Sequence, residues 1–366
     1  MLFNLLKYKP DNIDITVVYP DFPSTKFIYN EEQVKEFTKN IKTIKFHLNK
    51  PLGFKNRTVK DLFNQIIFKR YYKALTWIKK NSLYDKINDT DIVYLFYNYY
   101  SIFIYKNIPV IGSFHTFDIE TFMNYKKNSI IHNMHRKYII NKYFKNINGW
   151  HYLNDTNLFF NNNLKYKMVL KNGIDTDLFY PDNASNKKIK FLFVASLDLE
   201  KGLDILLPLI DMFVNNGNVE FHIAGIGPME EEIKARKNII YHGRLDNSNL
   251  AKLYRESDIF IYPSHLDTYS LVVLQALASG LYVLCSDYLK GNFDDFENKY
   301  LEYVPGNIES FYKRVNEIIE DRNIINHNKT EEFNYVKSIY DWPVIAKKFY
   351  EYMFEFDKEN KLSNEN

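Results

Sequence analysis

From Ile189 onward the chain alternates short, almost wholly apolar runs with longer amphipathic segments. IKFLFVASL from Ile189, VEFHIAGIG from Val219, IIYHG from Ile239, DIFIYPS from Asp258 and LYVLCSD from Leu281 read as strands. Between them, KGLDILLPLIDMFVNN from Lys201, PMEEEIKARK from Pro228, SNLAKLYRES from Ser248 and YSLVVLQALASG from Tyr269 read as helices. The acids of PMEEEIK fall in a first turn, where they complement the helix dipole, and Ser248 is the expected N-cap of its helix. Near-continuous apolar strands separated by helices predict a parallel sheet buried on both faces.

The first half repeats this grammar less clearly. IDITVVYP from Ile13, DIVYLF from Asp91, PVIGSF from Pro109 and NGWHYL from Asn148 are the strand candidates. The natural division is into two doubly wound domains, residues 1–168 and 169–337, with KYKMVLKNGIDTDLFYPDN from Lys165 as the connection. The last residues, 357–366, are polar and expected to fray.

Composition narrows the picture only a little. With 366 residues, 46% of them hydrophobic, the chain has material for about two domains. A formal net charge of +3 gives no argument for a nucleic-acid partner. One cysteine, Cys285, excludes an intrachain disulfide framework and fits a reducing, cytoplasmic setting. No run approaches the ~20 apolar residues of a spanning helix. The basic, aromatic segment 54–80, FKNRTVKDLFNQIIFKRYYKALTWIKK, reads either as a helix on an anionic membrane surface or as one packed inward through Leu62, Ile66 and Leu75.

Several segments then occur in a telling order: VLKNGIDTDLFYP, FLFVASLDLEKGLDILL, IAGIGPMEEEI, IIYHGRLDNSNLAKLYRESDIFIYPS and HLDTYSLVVLQALASG. Over about residues 165–287 this series resembles the C-terminal domain of GT-B glycosyltransferases of the retaining family four, the glycosyl transferases group 1. DIVYLFYNYYSIFIYKNIPVIGSFHTFD resembles the family's first domain more faintly, and its Gly-rich loop after the first strand is replaced here by VVYPDFPSTKF. SIYDWPVIAKKFYEYMF resembles the family's C-terminal helix, which would cross back to the first domain over about residues 338–356. The resemblance implies an α/β GT-B fold, with two Rossmann-like domains facing a cleft. It also implies a retaining transferase moving a hexosyl group from a nucleotide-diphosphate-sugar co-substrate to an acceptor hydroxyl on a carbohydrate, a lipid-linked group or a protein. A catalytically inactive nucleotide- or sugar-binding relative and a nucleotide-sugar epimerase are the alternatives.

The candidate site follows from chemistry and from this resemblance together. A diphosphate needs cations and open backbone N–H groups, and the helix start at Ser270, Leu271 and Val272 offers the latter. Lys201 stands just after a strand, at the sheet edge where such folds bind ligands; by resemblance it contacts the diphosphate, and a solvated helix-start lysine is the competing reading. The family's arginine partner is Ser196 here, so Arg244 either replaces the missing cation or is a surface residue. The family's E-x7-E pair becomes Asp267 and Gln275: by resemblance the first contacts the donor sugar and the second the ribose. Helix capping and a backbone-satisfied amide are the respective alternatives. Ser270 stands where the family has glycine, while Gly225 and Gly227 either keep a strand-end loop slim or mark an ordinary turn. In the first half, His115 follows a strand and by resemblance matches the family's sugar-contacting histidine, a structural histidine being the alternative, and Asp118 on the same loop is a candidate for acceptor or sugar. His132 and His135 have helical metal-ligand spacing but no evident third ligand, so a solvated or packed face is expected there and no resident metal. No cofactor is expected beyond the nucleotide-sugar co-substrate.

Overall fold

The structure is a computed structural model, and it describes residues 1–21, 39, 41–47, 90–95, 108–114, 147–153, 166–182, 186–267, 269–297 and 299–365. His115, Asp118, His132, His135 and the segment 54–80 lie outside the described residues.

The first half contributes helix α1 (Leu2–Lys7) and strands β1 (Thr16–Asp21), β2 (Lys42–His47), β3 (Val93–Leu95), β4 (Val110–Phe114), β5 (Gly149–Tyr152) and β6 (Tyr166–Val169). β1 and β2 form a parallel pair; β3 to β6 form a parallel sheet in chain order. β2 went unrecognised in the sequence because KTIKFH intersperses lysines among its apolar residues. β6 takes up the start of the expected connection, so the passage between the halves begins at Leu170.

The second half is built from β7 (Ile189–Val194), α2 (Leu203–Met212), β8 (Val219–Ala224), α3 (Glu230–Lys234), β9 (Ile239–Gly243), α4 (Asn247–Arg255), β10 (Ile259–Tyr262), α5 (Leu271–Ala278), β11 (Tyr282–Ser286) and β12 (Leu301–Val304). Three helices follow: α6 (Ile308–Glu320), α7 (Lys329–Tyr340) and α8 (Trp342–Glu365). All six strands are parallel, in the order β12-β11-β10-β7-β8-β9. Read from β9, this is the doubly wound order in which the chain starts at the centre, runs to one edge, then returns to fill the other. The uniformly apolar strands are buried as their pattern requires: every residue of β10 and β11 is buried. Helix α4 begins two residues earlier than expected. Its N-cap is Asp246, accepting from the Asn249 N–H at 2.9 Å, and not Ser248.

Helix α8 returns to the first half. Trp342, Ile345, Phe349, Tyr350 and Phe356 join Leu5, Ile111, Tyr166, Met168 and Leu170 in one core. The Tyr350 hydroxyl donates to Leu5 O at 2.8 Å. The return is pinned where α7 breaks: Ile174 N–H donates to Tyr340 O and Trp342 N–H to Ile174 O. A Cβ on Gly173 would stand 2.6 Å from the Trp342 ring, so the glycine in the connecting motif is there to let that ring pass. The expected frayed tail is instead helical to Glu365. Lys361 pairs with Asp357 one turn back at 2.6 Å and with Asp91 of the first half at 3.6 Å, which holds the polar end in register.

His151, at the centre of β5, is fully buried. Leu170 O accepts from Nε2 at 2.8 Å, so Nδ1 accepts from the Tyr94 hydroxyl at 2.6 Å and the imidazole is neutral. Burial pushes its pKa down to about 4. Below the unfolded value of 6.5 the unfolded chain therefore binds the extra proton first. The contribution of His151 to stability should be constant above that value and fall by roughly 3 kcal/mol as pH drops toward 4. Glu332, which burial raises to about 7, titrates in the same window with the opposite sign, so the test is the difference between two chains. In urea unfolding the parent should lose more stability than His151→Gln as pH drops from about 7 to about 4; equal slopes would contradict the assignment.

Candidate functional site

A sheet of this order has one place where the two neighbours of a strand are reached by connections leaving in opposite directions, opening a crevice at the carboxyl ends. Here it lies between β7 and β10. Their ladder is short, with Ile259 and Phe260 opposite Phe191 and Leu192. The loops 195–202 and 263–270 leave the sheet side by side from this point.

The first loop is shaped by its own polar residues. Asp198 caps a single 3-10 turn, Leu199–Lys201, by accepting from Lys201 N–H at 3.2 Å, and Ser196 Oγ donates to its other oxygen at 2.8 Å. Gly202 ends the turn at φ +82° and starts α2. A Cβ there would stand 2.1 Å from Pro263 O. The two loops thus touch backbone to backbone. The contact is extended by His265 N–H donating to Glu200 O at 3.0 Å and Ser264 Oγ donating to the same carbonyl at 3.2 Å.

This packing carries Lys201 onto the second loop. Its Nζ lies 3.3 Å from Asp267 Oδ2, 3.2 Å from Leu266 O and 3.9 Å from Glu200 Oε1. The Tyr262 hydroxyl donates to the same Asp267 oxygen at 2.8 Å. Burial, and then the adjacent Asp267 charge, hold Tyr262 well above the usual phenol range and so keep it a donor. Beside them His265 Nε2 meets Asp204 at 2.8 Å.

Ser270 occupies the N-cap of α5, but its side chain makes no capping bond; the buried Oγ lies near the Tyr262 hydroxyl without a hydrogen bond of good geometry. The N–H groups of Leu271, Val272 and Val273 have no protein acceptor among the described residues. They form the positive end of α5 beside Lys201.

The other expected residues separate by role. Gly225 and Gly227 back the first loop: a Cβ on Gly225 would meet Ala195 O at 1.9 Å, and one on Gly227 would meet Leu197 O at 2.5 Å. Gln275 sits one turn into α5, half-buried, and the buried Tyr254 hydroxyl shares its proton between Val272 O at 3.1 Å and Gln275 Oε1 at 3.3 Å. Arg244 is exposed beyond β9, two strands from β7, with no ion pair among the described residues. Lys201, Asp267, Ser196 and the start of α5 are therefore brought to one edge, and Arg244 follows Gly243, whose carbonyl accepts from the Gly225 N–H at 2.8 Å. Tyr262, Ser264, Asp198 and Tyr254 were not foreseen. Tyr262 reads as one more apolar strand residue, and only the sheet register shows its hydroxyl reaching the loop.

Known proteins resemble the chain in sequence and in fold. Residues 176–335 match the model of the family described as glycosyl transferases group 1. An uncharacterized glycosyltransferase of Methanocaldococcus jannaschii is 25% identical over 217 residues, covering 56% of this chain and 51% of that protein. The sulfoquinovosyl transferase SQD2 of Arabidopsis thaliana is 26% identical over 193 residues, covering 46% and 36%. The chain thus spans about half or less of the length of these curated relatives. Among solved structures, Anabaena HepE in complex with UDP superposes with a TM-score of 0.68 at 14% identity, covering 97% of this chain and 95% of that one. The likeness covers both halves, and the fold is the two-domain GT-B fold.

The loop contact yields a direct test. Gly202→Ala adds a methyl against Pro263 O in a left-handed backbone conformation, and should cost about 1–3 kcal/mol or more. A chemical unfolding midpoint unchanged in this variant would show that the two loops are not held at this distance.

Proposed function

We propose that this chain, whose residues 176–335 belong to the glycosyl transferases group 1 family, transfers a sugar from a nucleoside-diphosphate donor to an acceptor hydroxyl with retention of anomeric configuration. The observation that carries the reading is the convergence of Lys201 and the open N-terminus of α5 at the strand reversal. The bond broken is the anomeric C–O bond. The charge that develops is on the departing diphosphate, and a fixed cation with aimed N–H groups stabilises it without reorganisation. Lys201 in the free protein is partnered by Asp267, so the donor competes with that carboxylate for the ammonium. Asp267, released in this way, faces the donor sugar. Gln275 and Ser270 take the ribose and a phosphate oxygen. The acceptor attacks from the face that the leaving group vacates. His115 and Arg244 remain candidates for the sugar and the diphosphate.

Transfer without a resident metal is part of the same proposal, since lysine and helix dipole supply the charge a metal would otherwise provide. Among the described residues no helix is long and apolar enough to cross a membrane. Contact with a membrane surface through 54–80, and a lipid-linked, carbohydrate or protein acceptor, stay open within the proposal.

One observation favours a second reading, that of a binding module without turnover. Gln275 Oε1 is already engaged by Tyr254, and Ser196 leaves the site one cation short. Incubating the purified protein with a panel of nucleotide sugars, with and without simple acceptors, separates the two readings. Donor consumption supports the transferase; nucleotide binding with no consumption supports the module; no binding of either kind defeats both.

Lys201→Ala should weaken nucleoside-diphosphate binding by about 1.5–3 kcal/mol, the scale of a hydrogen bond to a charged group. By calorimetry that is about 10- to 150-fold in Kd. Unchanged affinity in a folded variant would remove Lys201 from the site. Donor turnover should persist in EDTA; loss in chelator with recovery in magnesium or manganese would overturn the metal-free mechanism.

A further inference from the structure

We infer that Tyr262 is a positioning residue that fixes the Asp267 carboxylate, so that its Oδ1 is the oxygen offered to the donor sugar; the inference rests on the transferase reading above. Three observations carry it. Tyr262 is 1% exposed, its ring lies 5.7 Å from Phe260 and 6.1 Å from Phe193, and its backbone is opposite Cys285 in the β10–β11 ladder. Its hydroxyl is therefore a fixed point at the end of a rigid strand. That hydroxyl and Lys201 Nζ both donate to Asp267 Oδ2, at 2.8 and 3.3 Å, whereas Oδ1 has no hydrogen-bond partner among the described residues. One carboxylate oxygen is thus occupied from inside the protein and the other is left over. Asp267 itself sits on a loop and is 19% exposed in its side chain, so without such a tether its carboxylate has no fixed direction.

The two residues also fit each other sterically. An aspartate is one methylene shorter than a glutamate, and the phenol supplies the reach from below that holds it. When the donor draws Lys201 away, Tyr262 remains as the bond that keeps the acid in place. Preorganisation of this kind acts on turnover more than on ground-state nucleotide affinity, because the diphosphate is held by other groups.

Tyr262→Phe removes only the hydroxyl. It should lower donor turnover by about tenfold or more, while the Kd for a nucleoside diphosphate stays within about twofold of the parent. Asp267→Glu placed in the Tyr262→Phe background should restore much of the turnover, because the longer acid no longer needs the tether. Unchanged turnover in Tyr262→Phe, or a parallel loss of turnover and affinity without rescue, would overturn the inference. If the parent protein consumes no donor, the functional reading fails first, and the positioning is then read from crystal structures of parent and variant. A carboxylate that turns away from its parental orientation in Tyr262→Phe supports the tether; one that stays in place refutes it.

Discussion

Between Gly202 and Pro263 there is no room for a side chain. This backbone contact joins the loop after β7 to the loop after β10, and everything proposed for the site depends on it. It arises because the strand order reverses at that place, so two loops from distant parts of the sequence leave the sheet as neighbours. The left-handed conformation at position 202 ends a 3-10 turn and begins α2, which turns Lys201 toward Asp267. A lysine on either loop alone would be one solvated charge. Held against Asp267 and Leu266 O, it becomes the cation of the proposed anion site, paired within the protein in the free chain.

The second half was largely legible in the sequence because its strands are buried on both faces and read as unbroken apolar runs. What the sequence could not supply is their spatial order. That Arg244 follows β9, two places from β7 in the sheet, is visible only in that order. Gln275 was singled out by the resemblance of Asp267 and Gln275 to the family's E-x7-E pair; its partner Tyr254 lies on another helix, and no local pattern joins them. Tyr262 was hidden for the opposite reason: a buried aromatic in a strand is ordinary until the register shows where its one polar atom reaches.

The first half and the C-terminus were harder to read for physical reasons of their own. β2 carries lysines, so its pattern resembles a surface segment. The end of α8 is polar, yet Phe356 is buried against the first half and Lys361 is paired at its turn, so helix persists where composition alone predicts fraying. The crossing of α8 has a visible anchor. Gly173, Ile174 and Asp341 bring the connection and the break between α7 and α8 together, and the Trp342 ring covers the glycine. The two halves are thereby joined twice by the chain, once on the way out and once on the way back.

The central claim is that the β7 and β10 loops together form the nucleotide site. Amide hydrogen exchange with and without a saturating nucleoside diphosphate tests it most directly, since it reports each backbone segment separately. The account predicts slowed exchange in both 195–203 and 263–273 when the ligand is bound. Binding that leaves both segments unprotected, or that protects only the opposite edge of the sheet around 212–218, would contradict it.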